Sequence, residues 1–222
     1  MATLIQEIDS RSNTSATFGA AVTSGNAVLV SIMTLDTTTT VSSVTDNQGN
    51  TYTAVPSGTG LLLSHPSGGG NTARGHFFTC PNITNGPTTI NVTLSATPSD
   101  ISYIQLYEVS GLGTSITVDD VQNSGTATNS SSPTVSFTAD TSGFAISIIG
   151  VASTPTFTEG SGWTLSYSDS GATNFMHRAI SASGSYSANA TLGAANGWNV
   201  VVALFSDSGG GGGGISLAWI RA

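Results

Sequence analysis

Lysine is absent from the 222 residues, and the only basic side chains are Arg11, Arg74, Arg178 and Arg221. Against 12 carboxylates they leave a formal net charge of −8 at pH 7. Surfaces that track nucleic acid neutralise phosphates with clustered Lys and Arg, so that class is excluded and no nucleic-acid partner is expected. Cysteine occurs once, at Cys80. That rules out an internal disulfide, and a lone Cys on an apolar strand reads as a small buried hydrophobe. No run approaches 18 consecutive apolar residues, so no membrane span is expected. The opening "MATLIQEIDSRSN" has neither a basic n-region nor an apolar h-region, so no secretory signal peptide is expected. Helical periodicity is nearly missing as well, which removes helix bundles and α/β folds from consideration.

In place of charge there is hydroxyl. The chain holds 33 Thr and 34 Ser, while charged residues make up 7% where about 25% is usual. Yet 38% of the residues are hydrophobic and they are patterned, which marks a folded chain rather than a disordered Ser/Thr tract. Short runs of period two, separated by Gly, Asn, Asp, Ser and Pro, recur at the spacing of an all-β sandwich or barrel. The clearest runs span 26–35, 41–45, 51–55, 76–80, 88–95, 101–109, 133–139, 143–152, 163–168, 174–181, 187–193 and 198–206. Runs 143–152 and 198–206 are almost continuously apolar, which predicts central strands buried on both faces.

The order of these runs repeats. "NAVLVSIMTL" pairs with "GFAISIIGVA", "VTDNQGNTYTAV" with "FTEGSGWTLSYS", "TTINVTL" with "YSANATL", and "ISYIQLYEVS" with "WNVVVALFSD". Extra residues near 56–72 and 81–87 lengthen the first copy. The expected fold is an antiparallel β-sandwich with jelly-roll-like connections, pseudo-duplicated from halves at about 24–112 and 133–206. One domain should cover 1–207, with "NSGTATNSSSP" (123–133) as the surface link between halves, followed by a glycine tether and an apolar peptide at 208–222.

The hairpin "SVTDNQGNTYT", which requires positive φ at Gly49, and the strand "YEVSGL" (107–112) carry a resemblance. With "SGNAVLVSIM", "TTINVTLS" and "WNVVVALFS", they make residues 24–206 resemble a Ser/Thr-rich β-sandwich domain of bacterial surface proteins and tailed-phage virion proteins. The resemblance implies a sandwich fold and a place outside cells. It implies no catalytic residue and does not extend to the glycine run.

Chemistry is sparse. A nucleophilic triad needs a His between a nucleophile and a carboxylate; His65 falls in a loop, and His76 and His177 lie in strands without a nucleophile-elbow motif nearby. Glycoside hydrolysis needs two facing carboxylates, but most acids sit in turns, and mid-strand Glu108 is read as solvent-facing. No enzyme and no cofactor are expected. Asp46 in "DNQGN" is a candidate calcium ligand, with "VDD" (118–120) a second, since hard oxygens suit that ion. An ordinary Asx turn uses the same residues. Trp163 and Trp198, at the starts of strands, are candidate glycan contacts.

The most distinctive feature is "SGGGGGGISLAWIRA". Six glycines have an r.m.s. span of roughly 13 Å and reach at most about 20 Å. Beyond them, Ile215, Leu217 and Trp219 alternate on one face of an extended strand, with Ile220 on the other. That pattern suits a strand added to a sheet edge or laid in a groove. The peptide could pack on its own domain, dock on another subunit, or stay unplaced; a strand meant for its own sheet would need only a tight turn, so the tether favours docking. The expectation is a non-catalytic structural protein of a virion or extracellular surface, homo-oligomeric or joined to other assembly subunits through Ile215, Leu217, Trp219 and Ile220. The alternative is a carbohydrate-binding or adhesin module contacting cell-surface glycan through Trp163 and Trp198.

Overall fold

Apolar residues in the first half segregate onto one side of short strands and fill both sides of the longer ones. In the computed structural model, which describes residues 1–11, 14–36, 38–56, 60–63, 73–97, 102–113, 116–124 and 129–207, this pattern becomes two layers. The strands of the first half are β1 (Thr3–Arg11), β2 (Ser15–Thr17), β3 (Ala27–Thr34), β4 (Val41–Asp46), β5 (Thr53–Val55), β6 (Leu61–Leu63), β7 (Ala73–Cys80), β8 (Thr89–Leu94) and β9 (Tyr103–Ser110). They form a large sheet ordered β1-β9-β3-β7-β5, with β6 also on β7, and a small sheet ordered β2-β8-β4. The strands pair antiparallel in both sheets.

The second half repeats this plan strand for strand. It contains β10 (Ile116–Asn123), β11 (Thr134–Ala139), β12 (Gly143–Val151), β13 (Phe157–Glu159), β14 (Thr164–Asp169), β15 (Thr173–Ile180), β16 (Gly184–Leu192) and β17 (Trp198–Asp207). Its large sheet is β10-β17-β12-β15-β14 and its small sheet β11-β16-β13. Leaving out β6, each half has its first strand beside its last and its third beside its sixth, the alternation of a jelly roll. The all-β sandwich class therefore holds, and each half is a sandwich in its own right.

The division falls elsewhere than expected. The halves start at Thr3 and Ile116, because β1 and β10 belong to them as edge strands. Residues 111–115 join the halves, whereas 124–133 connect β10 to β11 inside the second. The pairing of "ISYIQLYEVS" with "WNVVVALFSD" is also displaced by one: Val109 matches Phe205, since both face the same core while Ser206 does not. A one-residue slip changes the face of every side chain.

The two large sheets pack on each other. Leu29, Phe77, Tyr107 and Val109 of the first meet Phe144, Ile148, Val201 and Phe205 of the second. β1 lies against β14, β3 against β12 and β6 against β17, so strand order runs oppositely in the two sheets, as an approximate twofold between them requires. This leaves β3, β9, β12 and β17 between two cores. β3 and β12 are buried at every residue, the outcome expected for continuous apolar runs. At Gly75 on β7 the sheets come so close that an added Cβ would stand 2.9 Å from Val201 Cγ2.

Each small sheet closes the other side of its half. Ile90 and Val92 of β8 point into a core with Val28, Val30 and Ile32, and Phe137, Ala188 and Ala190 do the same in the second half. The alternate positions, such as Asn91, Thr93, Thr134, Ser136 and Thr138, lie towards solvent. The hydroxyl surplus of the chain thus coats the outer faces. No helix occurs among the described residues.

Candidate functional site

Three polar constellations stand out from the apolar layers. The first is the β4–β5 turn. Asp46 Oδ1 accepts the backbone N–H groups of Gln48 (2.8 Å) and Asn50 (3.1 Å), and Oδ2 accepts Asn50 Nδ2 (2.8 Å) and the Tyr52 hydroxyl (3.1 Å). Gly49 takes the positive φ expected of it, +83°. Burial alone would raise the Asp46 pKa, but these four donors outweigh it and hold the carboxyl below its ordinary value. Donors surround both oxygens, so the arrangement of an Asx turn replaces that of a cation site, and no metal-binding cluster occurs among the described residues. Asp46 thus locks this turn through four donors. Asp46→Ala should cost about 2 kcal/mol by stranding these donors, read as a lower melting temperature, while added calcium should leave the native protein's melting temperature unchanged.

The second constellation surrounds Glu108. The expectation of a solvent-facing carboxylate is overturned: the residue is 1% exposed. Glu108 Oε1 accepts Asn26 Nδ2 (2.6 Å) and the Thr23 N–H (2.8 Å), and Oε2 accepts Gln6 Nε2 (2.6 Å). Gln6 Nε2 also donates to the Ala20 carbonyl (3.1 Å). Burial pushes this carboxyl up, and the bonds from Gln6, Thr23 and Asn26 more than offset it, leaving its pKa below the ordinary range. One carboxylate ties edge strand β1 and the 20–26 segment to β9.

The third lies between the halves. His177 on β15 is buried, stacked on Phe144 (centroids 5.5 Å apart) and edge-on to Tyr107 (5.8 Å). Its Nδ1 is 2.8 Å from Ser166 Oγ on β14 and 3.4 Å from Glu7 Oε2 on β1. Burial raises the Glu7 pKa, and His177 and Ser166 outweigh it, so the net shift is downward. A nucleophile–base–acid relay places hydroxyl and carboxylate on opposite ring nitrogens; here both approach Nδ1. Farther along the same edge, the Tyr103 hydroxyl donates to Asp169, and Arg11 Nη2 lies 3.7 Å from Asp169 Oδ2. These groups clasp β1 and β9 to β14 and β15.

The remaining expected site residues lie apart from one another. Trp163 is 5% exposed and donates Nε1–H to the Ser187 carbonyl (2.8 Å); Trp198 is 7% exposed and donates to Ser130 Oγ (2.9 Å). Both rings belong to the core between β12, β15, β17 and the second small sheet. They offer no open face for a sugar to stack on, which corrects their reading as glycan contacts. Cys80 is buried and unpaired, with burial pushing its thiol up to about 11. His76 is buried in the first half and its pKa is lowered to about 4, chiefly by desolvation. Ile215, Leu217, Trp219, Ile220 and His65 lie outside the described residues. Glu7, Ser166 and Tyr107 were not legible as a group, because nothing in sequence spacing places β1 against β14.

Fold and constellations together define a pseudo-duplicated jelly-roll protein whose buried polar groups act as ties between strands. No family model and no curated protein matches the chain.

Proposed function

We propose that this is a non-catalytic structural component of an extracellular assembly, most specifically a tailed-phage virion protein on the capsid exterior or tail, attached through residues 215–220. The observation that carries the reading is the contrast between the folded body and that peptide. Among the described residues, Met1 and Ile5 are the large hydrophobic side chains left exposed, and the outer sheets present hydroxyls and amides. Beyond Asp207, four large apolar residues follow a glycine run. Burying them would contribute about 1.5–3 kcal/mol each, enough to anchor one subunit on another. The strand that leads into the tether, β17, already has β10 and β12 on its two sides, so a hairpin back beside it has no vacant lane.

Jelly rolls serve in capsids and in lectins alike, so the fold alone does not choose between them. The resemblance of "SVTDNQGNTYT" and "YEVSGL" to surface and virion sandwich domains supports the assembly role, and the burial of both candidate tryptophans speaks against the glycan-binding alternative. Light scattering tests the proposal. The full chain is expected to run as an oligomer, a chain ending at Ser208 as a monomer, and Trp219→Ala should weaken association most, because aromatic anchors dominate interfaces. Equal masses for the full and shortened chains would remove self-assembly through the peptide.

A further inference from the structure

We infer that the contact between the two jelly rolls contains a binding site for ordered water, built by the Gln105 amide and the hydroxyls of Ser31 and Tyr107. The site belongs to the folded body and stands whether or not residues 215–220 anchor the chain.

Register brings these side chains together. On β9, Tyr103, Gln105, Tyr107 and Val109 alternate onto the face that meets the second half, and on β3 Leu29, Ser31 and Met33 do the same. Ser31 and Gln105 are opposed partners in the antiparallel ladder. Tyr107 is the diagonal neighbour of Ser31, a spacing that long side chains reach across. Gln105 is 1% exposed, and Ser31 and Tyr107 are fully buried. The hydroxyls of Ser31 and Ser166 lie beside that of Tyr107 without reaching hydrogen-bond geometry. Among the described residues, no partner meets either polar atom of the Gln105 amide, Ser31 Oγ or the Tyr107 hydroxyl.

Buried polar groups are seldom left in this state, because enclosing an amide or a hydroxyl without a hydrogen bond costs free energy that the surrounding contacts must offset. Opposed side chains that do not bond each other call for a bridging molecule that both donates and accepts. Water does both, and it is held where two to four polar groups converge. The groups here supply each role: Gln105 donates through Nε2 and accepts through Oε1, and the two hydroxyls can do either. The nearby ionisable groups, Glu7 and His177, already face each other at 3.4 Å, so the site offers no unpaired charge to an ion.

The internal repeat shows that the fold does not require polarity here. With Val109 equivalent to Phe205, Gln105 corresponds to Val201 and Ser31 to Ile148, and these two are likewise opposed in their own ladder. In the second half the pair is apolar and packs directly on the first: a Cβ added to Gly75 would stand 2.9 Å from Val201 Cγ2 and 3.2 Å from Ile148 Cδ1. A dry contact is therefore open to this fold and is used by one of the two equivalent pairs. The other pair carries an amide and a hydroxyl, which a dry contact penalises and a hydrated one uses. The site continues the clasp of Glu7, Ser166 and His177 inward from the β1–β14 side, so the halves meet through polar groups and water there and through apolar packing around Gly75.

Relaxation dispersion of water oxygen-17 in solutions of the full chain, which detects internal waters that exchange slowly, tests the site. Gln105→Leu keeps most of the side-chain bulk without its polar atoms, and its dispersion amplitude is expected to fall below that of the native protein by the share of one or more waters. Ordered waters elsewhere cancel in the comparison. Ser31→Ala removes one partner without adding volume and should show the same loss, so the result does not hang on Gln105→Leu folding. In a crystal structure of the native chain the water should lie about 2.7–3.2 Å from Ser31 Oγ and from the Gln105 amide. Equal dispersion in the native protein and in a folded variant would mean a dry contact and overturn the site.

Discussion

Replacing Glu108 with Ala is expected to lower stability by about 3 kcal/mol, measured as a drop in melting temperature of roughly 6–12 °C for a chain of this size. The loss is large because the carboxylate is 1% exposed and accepts three short bonds, from Gln6, Thr23 and Asn26. Removing it leaves the Thr23 N–H and the Asn26 amide without their acceptor and unties the 20–26 segment from β9. Gln6 retains the Ala20 carbonyl, so β1 should loosen rather than detach. Glu108→Gln should fall between the two, since one amide oxygen remains while its NH2 faces other donors. The pH dependence separates this mechanism from simple loss of packing. The folded protein holds Glu108 below its ordinary pKa, so the ion's contribution is complete above the unfolded value of about 4.3 and disappears as pH falls through the lower folded value. The gap between native protein and Glu108→Ala should therefore be constant from neutral pH down to about 5 and shrink below 4. Glu7 and Asp46 are shifted the same way, so the native protein itself should lose stability across that acid range. A gap that stays constant to pH 2 would show that Glu108 acts through shape alone.

What the sequence revealed of this fold follows from which strands are buried on two sides. β12 and β17 announce themselves because each face meets a core, and a continuous apolar run of that length in a chain without helical periodicity has few other uses. The duplication was legible for the same reason: both halves must fill an outer and an inner core with the same strands. β1 and β10 were missed because they are edge strands with a bulge. In "LIQEIDS" and "TVDDVQ" the bulge breaks the alternation and polar ties replace half of the apolar face. The polar sites were harder still. A mid-strand glutamate reads as solvent-facing unless the three donors converging on it are known, and these come from residues 6, 23 and 26 on other segments. Likewise, an indole at a strand start reads as exposed until its N–H is found on Ser187 or Ser130. Such facts belong to tertiary register, which composition and local spacing do not encode.

The contact between the two jelly rolls makes the second large prediction. Phe144 on β12 is fully enclosed, edge-on to Tyr107 across the interface at 6.3 Å and stacked on His177 at 5.5 Å. Phe144→Ala should cost about 3–5 kcal/mol, the usual range for deleting a buried phenyl ring. Its effect should also differ in kind from an equal loss elsewhere. Phe137 packs inside the second half, between its small and large sheets, so Phe137→Ala weakens one sandwich and leaves the contact between sandwiches whole. Phe144 faces the other half, and the polar clasp of Glu7, Ser166 and His177 is built around the same ring contacts. Calorimetry of Phe144→Ala should then show the halves uncoupling, with a van't Hoff enthalpy well below the calorimetric one, while Phe137→Ala stays closer to a single transition. The argument depends on each half having its own complete core, which the separate clusters around Ile90 and around Phe137 provide. A single cooperative transition in Phe144→Ala, with equal enthalpies, would mean that the strands between the two cores bind the halves more firmly than the face they share.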